Sequence, residues 1–467
     1  METYMNKVRT RYAPSPTGYL HIGGARTALF CYLFAKHYNG SFVFRLEDTD
    51  VKRNVADGER SQLENLKWLG IIPDESPLNP NEKYGKYRQS EKLDRYREIA
   101  NELVQKGFAY KAYDTSEELE MQHSEAEKSG IASFRYDKNW LKISEEEKTR
   151  REKAGEYSIR FCMPKDTTYE WDDIVRGKIS FNSNDIGDWV IQKSDGYPTY
   201  NFAVVIDDHD MEITHVLRGE EHITNTPRQL SIYNALGWKS PEFGHLTVIT
   251  NMEGKKLSKR DTSLKQFIED YKNDGYDPNA IFNFLSLLGW TSADNSELMS
   301  HNEIIAKFDP ARLSKSPSKF DIKKMQWFSK QYIKNMDNGL IIKQLNLKDD
   351  EWTNLFVDTF KQSVYALKQL LVEKENYDNP LDVAPLLSEA DLEVVFAFKK
   401  EIENKDFTIS QIQEAIDQVA FKTSKKGKNL FMPIRLATTY IEHGPELAKS
   451  IYLFGKDLIF KRLSQWK

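Results

Sequence analysis

The sequence predicts an α/β fold built on a parallel sheet, followed by a separate all-helical region. Two observations carry this expectation. Residues 8–46 read strand, glycine-containing turn, helix, strand, a βαβ unit whose crossover enforces parallel pairing. From about residue 317 onward, apolar residues recur at helical spacing and strand signals become sparse.

The elements follow in order. Residues 8–13 form a short strand, stopped by Pro14-Ser15-Pro16-Thr17-Gly18, where two prolines and a glycine force a turn. Residues 25–37 place Ala28, Leu29, Tyr32 and Leu33 on one side of a helix, and residues 41–46 return to a half-buried strand pattern. The turn therefore lies at a strand's C-terminal end and opens into a helix N-terminus, the position where open α/β sheets bind ligands. Residues 72–80, rich in Pro, Asn and Asp, read as an exposed connection. Residues 116–156 are charged with helical spacing and residues 157–188 turn strand-like, so 108–195 reads as an insertion into the first domain. Residues 199–205 and 214–218 read as short apolar strands with which the α/β domain resumes. The resulting organisation is 1–107, the inserted 108–195, 196–325 and a helical 326–467, in keeping with the three or so domains expected from 467 residues at roughly 150 per domain.

Composition narrows the class. Hydrophobic residues make up 39% and aromatics 12%, enough to fill a sizeable core and exclude wholesale disorder. No run approaches the ~18 consecutive apolar residues of a membrane span, and the first residues carry no signal-peptide pattern. The two cysteines, Cys31 and Cys162, are far apart and lack a CxxC partner, which excludes a disulfide framework and a cysteine-based zinc site and points to a reducing compartment. The expected location is the cytoplasm. With 66 Lys+Arg against 71 Asp+Glu the net charge is −5, so any surface for nucleic acid must be locally basic.

Two segments carry chemistry. His21, Gly23 and Gly24 sit at the strand-to-helix turn, where glycines let a ligand approach the backbone and helix amides favour phosphate. The segment is not a Walker A loop, since Gly24 and Ala25 stand where Lys and Ser/Thr are required, and no GxGxxG fingerprint is present. The second segment, Gly254-Lys255-Lys256-Leu257-Ser258-Lys259-Arg260, has four cations in six residues and suits a loop that clamps a polyphosphate. Each alone also fits a solvated turn or loop; two phosphate-handling loops in one α/β domain are a stronger signal.

His21-Ile22-Gly23-Gly24 and Lys256-Leu257-Ser258-Lys259-Arg260 resemble the HIGH and KMSKS signatures of class I aminoacyl-tRNA synthetases. The flanking motifs are similar to those of glutamyl-tRNA synthetases of bacterial type. They are Arg11 to Gly18, Arg45-Leu46-Glu47-Asp48-Thr49-Asp50, Ser194 to Tyr200, Leu217-Arg218-Gly219-Glu220-Glu221-His222, Phe320 to Trp327, and the stretch from Lys426 to Arg435. Asp50 favours the glutamyl branch over the glutaminyl one. The resemblance implies a Rossmann-like catalytic domain, with 108–195 as its inserted α+β acceptor-stem-binding domain. It makes 196–325 the second half with the KMSKS-like loop and 326–467 an anticodon-binding region.

It further implies condensation of glutamate with ATP to glutamyl-adenylate, in a step that depends on tRNA, and then transfer to the terminal ribose of tRNA(Glu). His21, Lys256 and Lys259 would be the catalytic residues. ATP would meet His21, Gly23, Gly24, Glu221, Ile249, Lys256, Leu257, Ser258, Lys259 and Arg260. Glutamate would meet Arg11, Ala13, Ser15, Glu47, Tyr200 and Arg218, two guanidinium groups suiting a dianion and Glu47 suiting its ammonium. Gly24 departs from the second His of HIGH, and Asp207-Asp208-His209, which could pass for a metal cluster, is read as a structural or tRNA-facing loop. Lys422, Lys425, Lys426, Lys428 and Arg435 form the densest basic cluster of the C-terminal region and would meet tRNA phosphates. Some members hold zinc in the insertion through a CxC pair and further ligands; the corresponding stretches here, Tyr110 to Asp114 and Tyr136 to Trp140, contain no cysteine, so the expected metal is Mg2+ arriving with ATP, with no zinc. A monomer with no membrane partner is expected. The stretch Phe360 to Leu367 lacks the Arg with which discriminating members sense the third anticodon base, which leaves tRNA(Gln) open as a second acceptor. A catalytically silent tRNA-binding homologue is the remaining alternative.

Overall fold

Strand β1 (Arg9–Tyr12), helix α1 (Ile22–His37) and strand β2 (Ser41–Phe44) form the βαβ unit, with Arg11 beside Val43 in parallel register. These are features of a computed structural model that describes residues 7–130, 135–136, 138–139, 141–257 and 265–466. Helix α1 begins three residues earlier than its apolar spacing suggests. The cause is a cap: His21 is extended (φ −84°, ψ 151°), and its Nδ1 accepts the Gly23 N–H at 3.0 Å. The first turn of α1 carries no acidic residue, so the cap leaves the positive end of the helix uncompensated.

After α2 (Gly58–Trp68) and α3 (Leu93–Gln105), residues 108–195 contribute β3 (Ala109–Ala112), α4 (Ser116–Lys128), α5 (Glu145–Ala154), β4 (Ser158–Phe161), β5 (Thr168–Asp173), β6 (Gly177–Asn182) and β7 (Trp189–Gln192). Strands β3, β4 and β7 make an antiparallel sheet, and β5 and β6 a hairpin. Antiparallel pairing sets this segment apart from the parallel strands on either side of it. The parallel sheet resumes with β8 (His215–Gly219) and β9 (Glu242–Leu246), separated by α7 (Thr226–Leu236), giving the order β2-β1-β8-β9.

The expected strand at 199–205 is instead part of helix α6 (Tyr200–Asp210). Phe202, Ala203, Val204, Val205 and Ile206 are all buried, and a helix covered on every side has no polar stripe to reveal its period. The same helix corrects the reading of Asp207-Asp208-His209 as a loop; of the two roles expected for it, the structural one fits the buried aspartates. Asp207 is buried against Lys92 (2.5 Å), Gln89 (2.8 Å) and the Tyr96 hydroxyl. Asp208 takes Arg45 at 2.8 Å and Arg11 at 3.1 Å, while the His209 ring stacks on Trp238. Arg45, fully buried, meets Asp207, Asp208 and Glu47. The two aspartates are thus internal counter-ions that let the sheet carry arginines at its centre.

The contacts divide the chain into two units. The first runs to Asp270 and includes Phe282–Asp321; the second joins Tyr271–Ile281 to everything from Ile322 onward. In the second unit every regular element from Ile322 onward is a helix among the described residues. One cluster there packs Val394, Phe398, Ile412, Ile416, Ile434 and Ile451, and another packs Ile341, Phe356, Phe360 and Leu370. Polar caps mark the helix starts: Ser388 and Asp391 form a capping box, and Thr408 accepts from Gln411.

Candidate active-site cleft

A cleft of about 320 Å3 opens at the C-terminal ends of the parallel strands. It is reached from β1 by Arg11 and Ala13, from the end of β2 by Glu47, from β8 by Arg218, and from the head of α6 by Tyr200. His21, Gly23 and Gly24 border it from the head of α1, with Glu221, Ile249, Lys256 and Leu257 completing the set. Twelve residues picked from sequence therefore line one cleft. Ser15 is exposed and does not line the cleft. Ser258, Lys259 and Arg260 lie outside the described residues.

The described flanks of that basic segment are both tied to the cleft. On one side Leu257 N–H donates to the Ile249 carbonyl at 3.2 Å, and Asn251 N–H to the Lys255 carbonyl at 2.8 Å. On the other, Ile22 N–H donates to the Gln266 carbonyl at 2.9 Å, Ile268 N–H to the Leu20 carbonyl at 3.0 Å, and the Gln266 side-chain oxygen meets His21 Nε2 at 2.8 Å. Sequence distance of more than 230 residues between the two motifs is thus closed by backbone pairing.

Gly24 has a local reason to lack a side chain. A Cβ there would come within 2.6 Å of the Tyr12 hydroxyl, which itself bonds Gln62 at 3.1 Å. Gly219 serves Glu221 in the same way: a Cβ would fall 2.3 Å from its carboxylate.

Electrostatically the cleft has two unlike ends. Burial pushes the Glu47 carboxyl up to about 7, against the pull of Arg45 and Arg11. Arg218 is buried without a carboxylate partner among the described residues: Nη1 donates to Gln229 Oε1 and Nη2 to Thr226 Oγ1, each at 2.8 Å, and Nε donates to His245 Nε2 at 3.2 Å. Burial lowers its pKa, Tyr200 and Asp208 opposing. A desolvated guanidinium held only by neutral acceptors is a receptor for an anion.

Several residues of this site were missed in the sequence. Arg26 stands one turn beyond Ile22 on α1, buried, its guanidinium donating to the Thr247 and Leu288 carbonyls, and burial brings it down to about 10. Helical spacing from His21 and Gly23 could have flagged Arg26 and Thr27, which both line the cleft. Thr226, Gln229, His245 and Asp173 support Arg218 from behind; their roles depend on strand order and leave no local signal.

In the helical unit the basic cluster is less uniform than expected. Lys426 and Lys428 are exposed and Lys425 half-buried. Lys422 pairs with Glu401 at 2.5 Å, which offsets its charge. Arg435 is corrected most: it is half-buried and donates to the Pro445 carbonyl, because the helix Lys428–Thr439 turns that face towards the following loop.

Comparison with known proteins adds the following. A family model described as "tRNA synthetases class I (E and Q), catalytic domain" matches residues 7–327, and one described as "Anticodon binding domain" matches residues 326–467. A glutamate–tRNA ligase of Mycoplasmopsis agalactiae is 90% identical over 462 residues, covering 99% of this chain and 100% of that protein. That of Metamycoplasma arthritidis is 67% identical over 464 residues, with 99% and 100% covered. Among solved structures, a glutamate tRNA ligase from Elizabethkingia meningosepticum in complex with its amino acid is 36% identical, with a TM-score of 0.89 over 98% of this chain and 99% of that one.

Proposed function

We infer the chemistry of the cleft from one premise: this chain belongs to the class I tRNA synthetases of the glutamate and glutamine (E and Q) family. It attaches glutamate to tRNA at the expense of ATP, first as glutamyl-adenylate and then as an ester on the terminal ribose. The observation that supports glutamate most directly is Arg218, a buried cation with neutral hydrogen-bond partners only, lining the same cleft as Glu47.

The α-carboxylate of glutamate attacks the α-phosphorus of ATP. A phosphorus–oxygen bond forms, the bond to the β-phosphate bridge breaks, and pyrophosphate leaves. The substrate supplies its own nucleophile, so the protein's task is placement and charge stabilisation. Arg218 takes the side-chain carboxylate, and Arg11 adds positive potential while its Nε stays on Asp208. Glu47 accepts from the ammonium, Tyr200 and Ala13 close the pocket, and Ser15 lies outside it. His21 and the glycine pair at the head of α1 meet the phosphates of ATP, which brings Mg2+ as its counter-ion. Glu221 and Ile249 border the adenosine end. Lys256 and Lys259, with Leu257, Ser258 and Arg260, close over the departing pyrophosphate. Residues 108–195 hold the acceptor end, and Lys425, Lys426 and Lys428 hold backbone phosphates near the anticodon. Among the described residues no helix is long and apolar enough to cross a membrane. The cytoplasm, which supplies ATP and tRNA, is the compartment of this reaction.

Glu47 gives a pH signature. Its carboxyl is neutral below about 7 and charged above, and only the charged form accepts strongly from an ammonium. Binding supported by Glu47 is therefore present above that value and lost as pH falls through it. kcat/KM for glutamate is expected to fall by up to about tenfold per pH unit below 7, and Glu47→Gln to remove that limb. A wild-type profile flat from pH 8 to 6 would exclude the role.

The reaction as a whole is tested by charging unfractionated tRNA with labelled glutamate or glutamine. Glutamate alone is expected to enter tRNA; preferential entry of glutamine would reject the assignment of Arg218.

A further inference from the structure

We propose that Asp173 and His245 form a positioning pair that fixes the angle at which Arg218 meets the substrate carboxylate. The inference rests on Arg218 being the carboxylate receptor.

Each of the three Arg218 nitrogens donates to an acceptor, which fixes the plane of the guanidinium. Two of them, Thr226 and Gln229, come from α7; the third, His245, lies on β9 directly across the parallel register from Arg218. A neutral imidazole accepts at Nε2 only when its proton is on Nδ1. Asp173 Oδ2 accepts at that Nδ1. The other oxygen, Oδ1, takes the backbone N–H of Val175, Arg176 and His245 at 3.0–3.1 Å, so the carboxylate cannot rotate away. His245 is fully buried and Asp173 nearly so. The arrangement runs from a charged acceptor through an imidazole of fixed tautomer to a donor. It repeats the way a carboxylate orients a histidine in hydrolases, with an arginine in place of a nucleophile.

Asp173 reaches this place from the β5–β6 hairpin of residues 108–195. The turn of that hairpin is fastened to the sheet by Ile174 N–H on the Phe243 carbonyl at 2.9 Å. Arg176 pairs with Glu220, whose other oxygen takes the Val248 N–H at 2.9 Å. Burial works against ionisation of Asp173, but the bonds from His245 and the Arg176 amide hold its carboxyl at about 2. His245 is lowered by its own burial and kept neutral beside Arg218.

Four variants test this in the full-length protein. Asp173→Asn retains an oxygen for the backbone amides but turns an NH2 towards Nδ1, moving the imidazole proton to Nε2, where it confronts the Arg218 Nε–H. His245→Leu removes the acceptor, and His245→Gln returns one close to the Nε2 position. Arg218→Gln serves as reference. Asp173→Asn and His245→Leu are expected to raise the KM for glutamate about 10–100-fold, with the KM for ATP within about twofold. His245→Gln should stay within about threefold of wild type. Should Asp173→Asn fail to fold, the Leu and Gln variants at 245, matched for Tm, decide alone. If Arg218→Gln raises the glutamate KM while Asp173→Asn and His245→Leu do not, or if Gln at 245 is no better than Leu, the positioning pair is overturned. If Arg218→Gln itself leaves the KM unchanged, the pocket assignment fails first.

Discussion

Replacing Arg218 by Gln is expected to lower kcat/KM for glutamate by about 10²–10³-fold while leaving the protein as stable as before or more so. The loss is the charge-assisted fork to a carboxylate, about 3–4 kcal/mol once the substrate's carboxylate is left desolvated and unmatched. The stability side has the opposite sign. Arg218 is buried among Gln229, Thr226 and His245 with no carboxylate hydrogen-bonded to it and only the more distant Asp208 partly offsetting its charge, so the unliganded protein bears much of the desolvation cost of a cation. A neutral side chain relieves that cost, an instance of a binding site held at the expense of stability. Discrimination against glutamine should fall at the same time, because the rejecting element is the unpaired fork itself. Kinetics with both amino acids and a thermal melt check this together. Unchanged glutamate kinetics would remove Arg218 from the pocket, and a Tm lowered by about 5 °C or more would make it a structural residue.

Lys259→Ala is expected to slow adenylate formation by about 10²–10³-fold with the KM for ATP within about threefold of wild type. The run from Lys255 to Arg260 concentrates cations in a segment whose two described flanks are fastened at Ile249 and at Leu20–Ile22, on either side of the phosphate end of the cleft. A cation that engages the leaving pyrophosphate only as charge develops affects the rate and spares ground-state binding. Single-turnover adenylate formation over a range of ATP concentrations separates the two. Equal losses in rate and in ATP affinity would assign Lys259 to ground-state binding.

Much of this was legible in the sequence where local chemistry and location coincide. The prolines and glycine between β1 and α1 announce a turn, and the open α/β topology makes such a turn a binding site, so His21, Gly23 and Gly24 could be placed early. The glutamate pocket was legible through motif resemblance, and apart from Ser15 its residues meet in the cleft. What sequence could not supply was decided by packing. Helix α6 reads as a strand because burial on all sides erases its polar face. Asp207-Asp208-His209 reads as a structural or tRNA-facing loop because the counter-ions of the two aspartates, Lys92, Arg45 and Arg11, come from distant elements. Arg435 reads as a tRNA contact because its acceptor is a carbonyl, which has no sequence signature. Asp173 and His245 are hidden for the same reason: a strand register and a hairpin turn, neither visible locally, bring them behind Arg218.

The central claim is that this cleft activates glutamate on ATP for transfer to tRNA. Glutamate-dependent exchange of labelled pyrophosphate into ATP, with and without unfractionated tRNA, tests it most directly. The expected result is exchange with glutamate that appears when tRNA is added and is absent with glutamine. No exchange with glutamate under either condition, in a preparation that binds tRNA, would contradict the account and leave a tRNA-binding protein without the reaction.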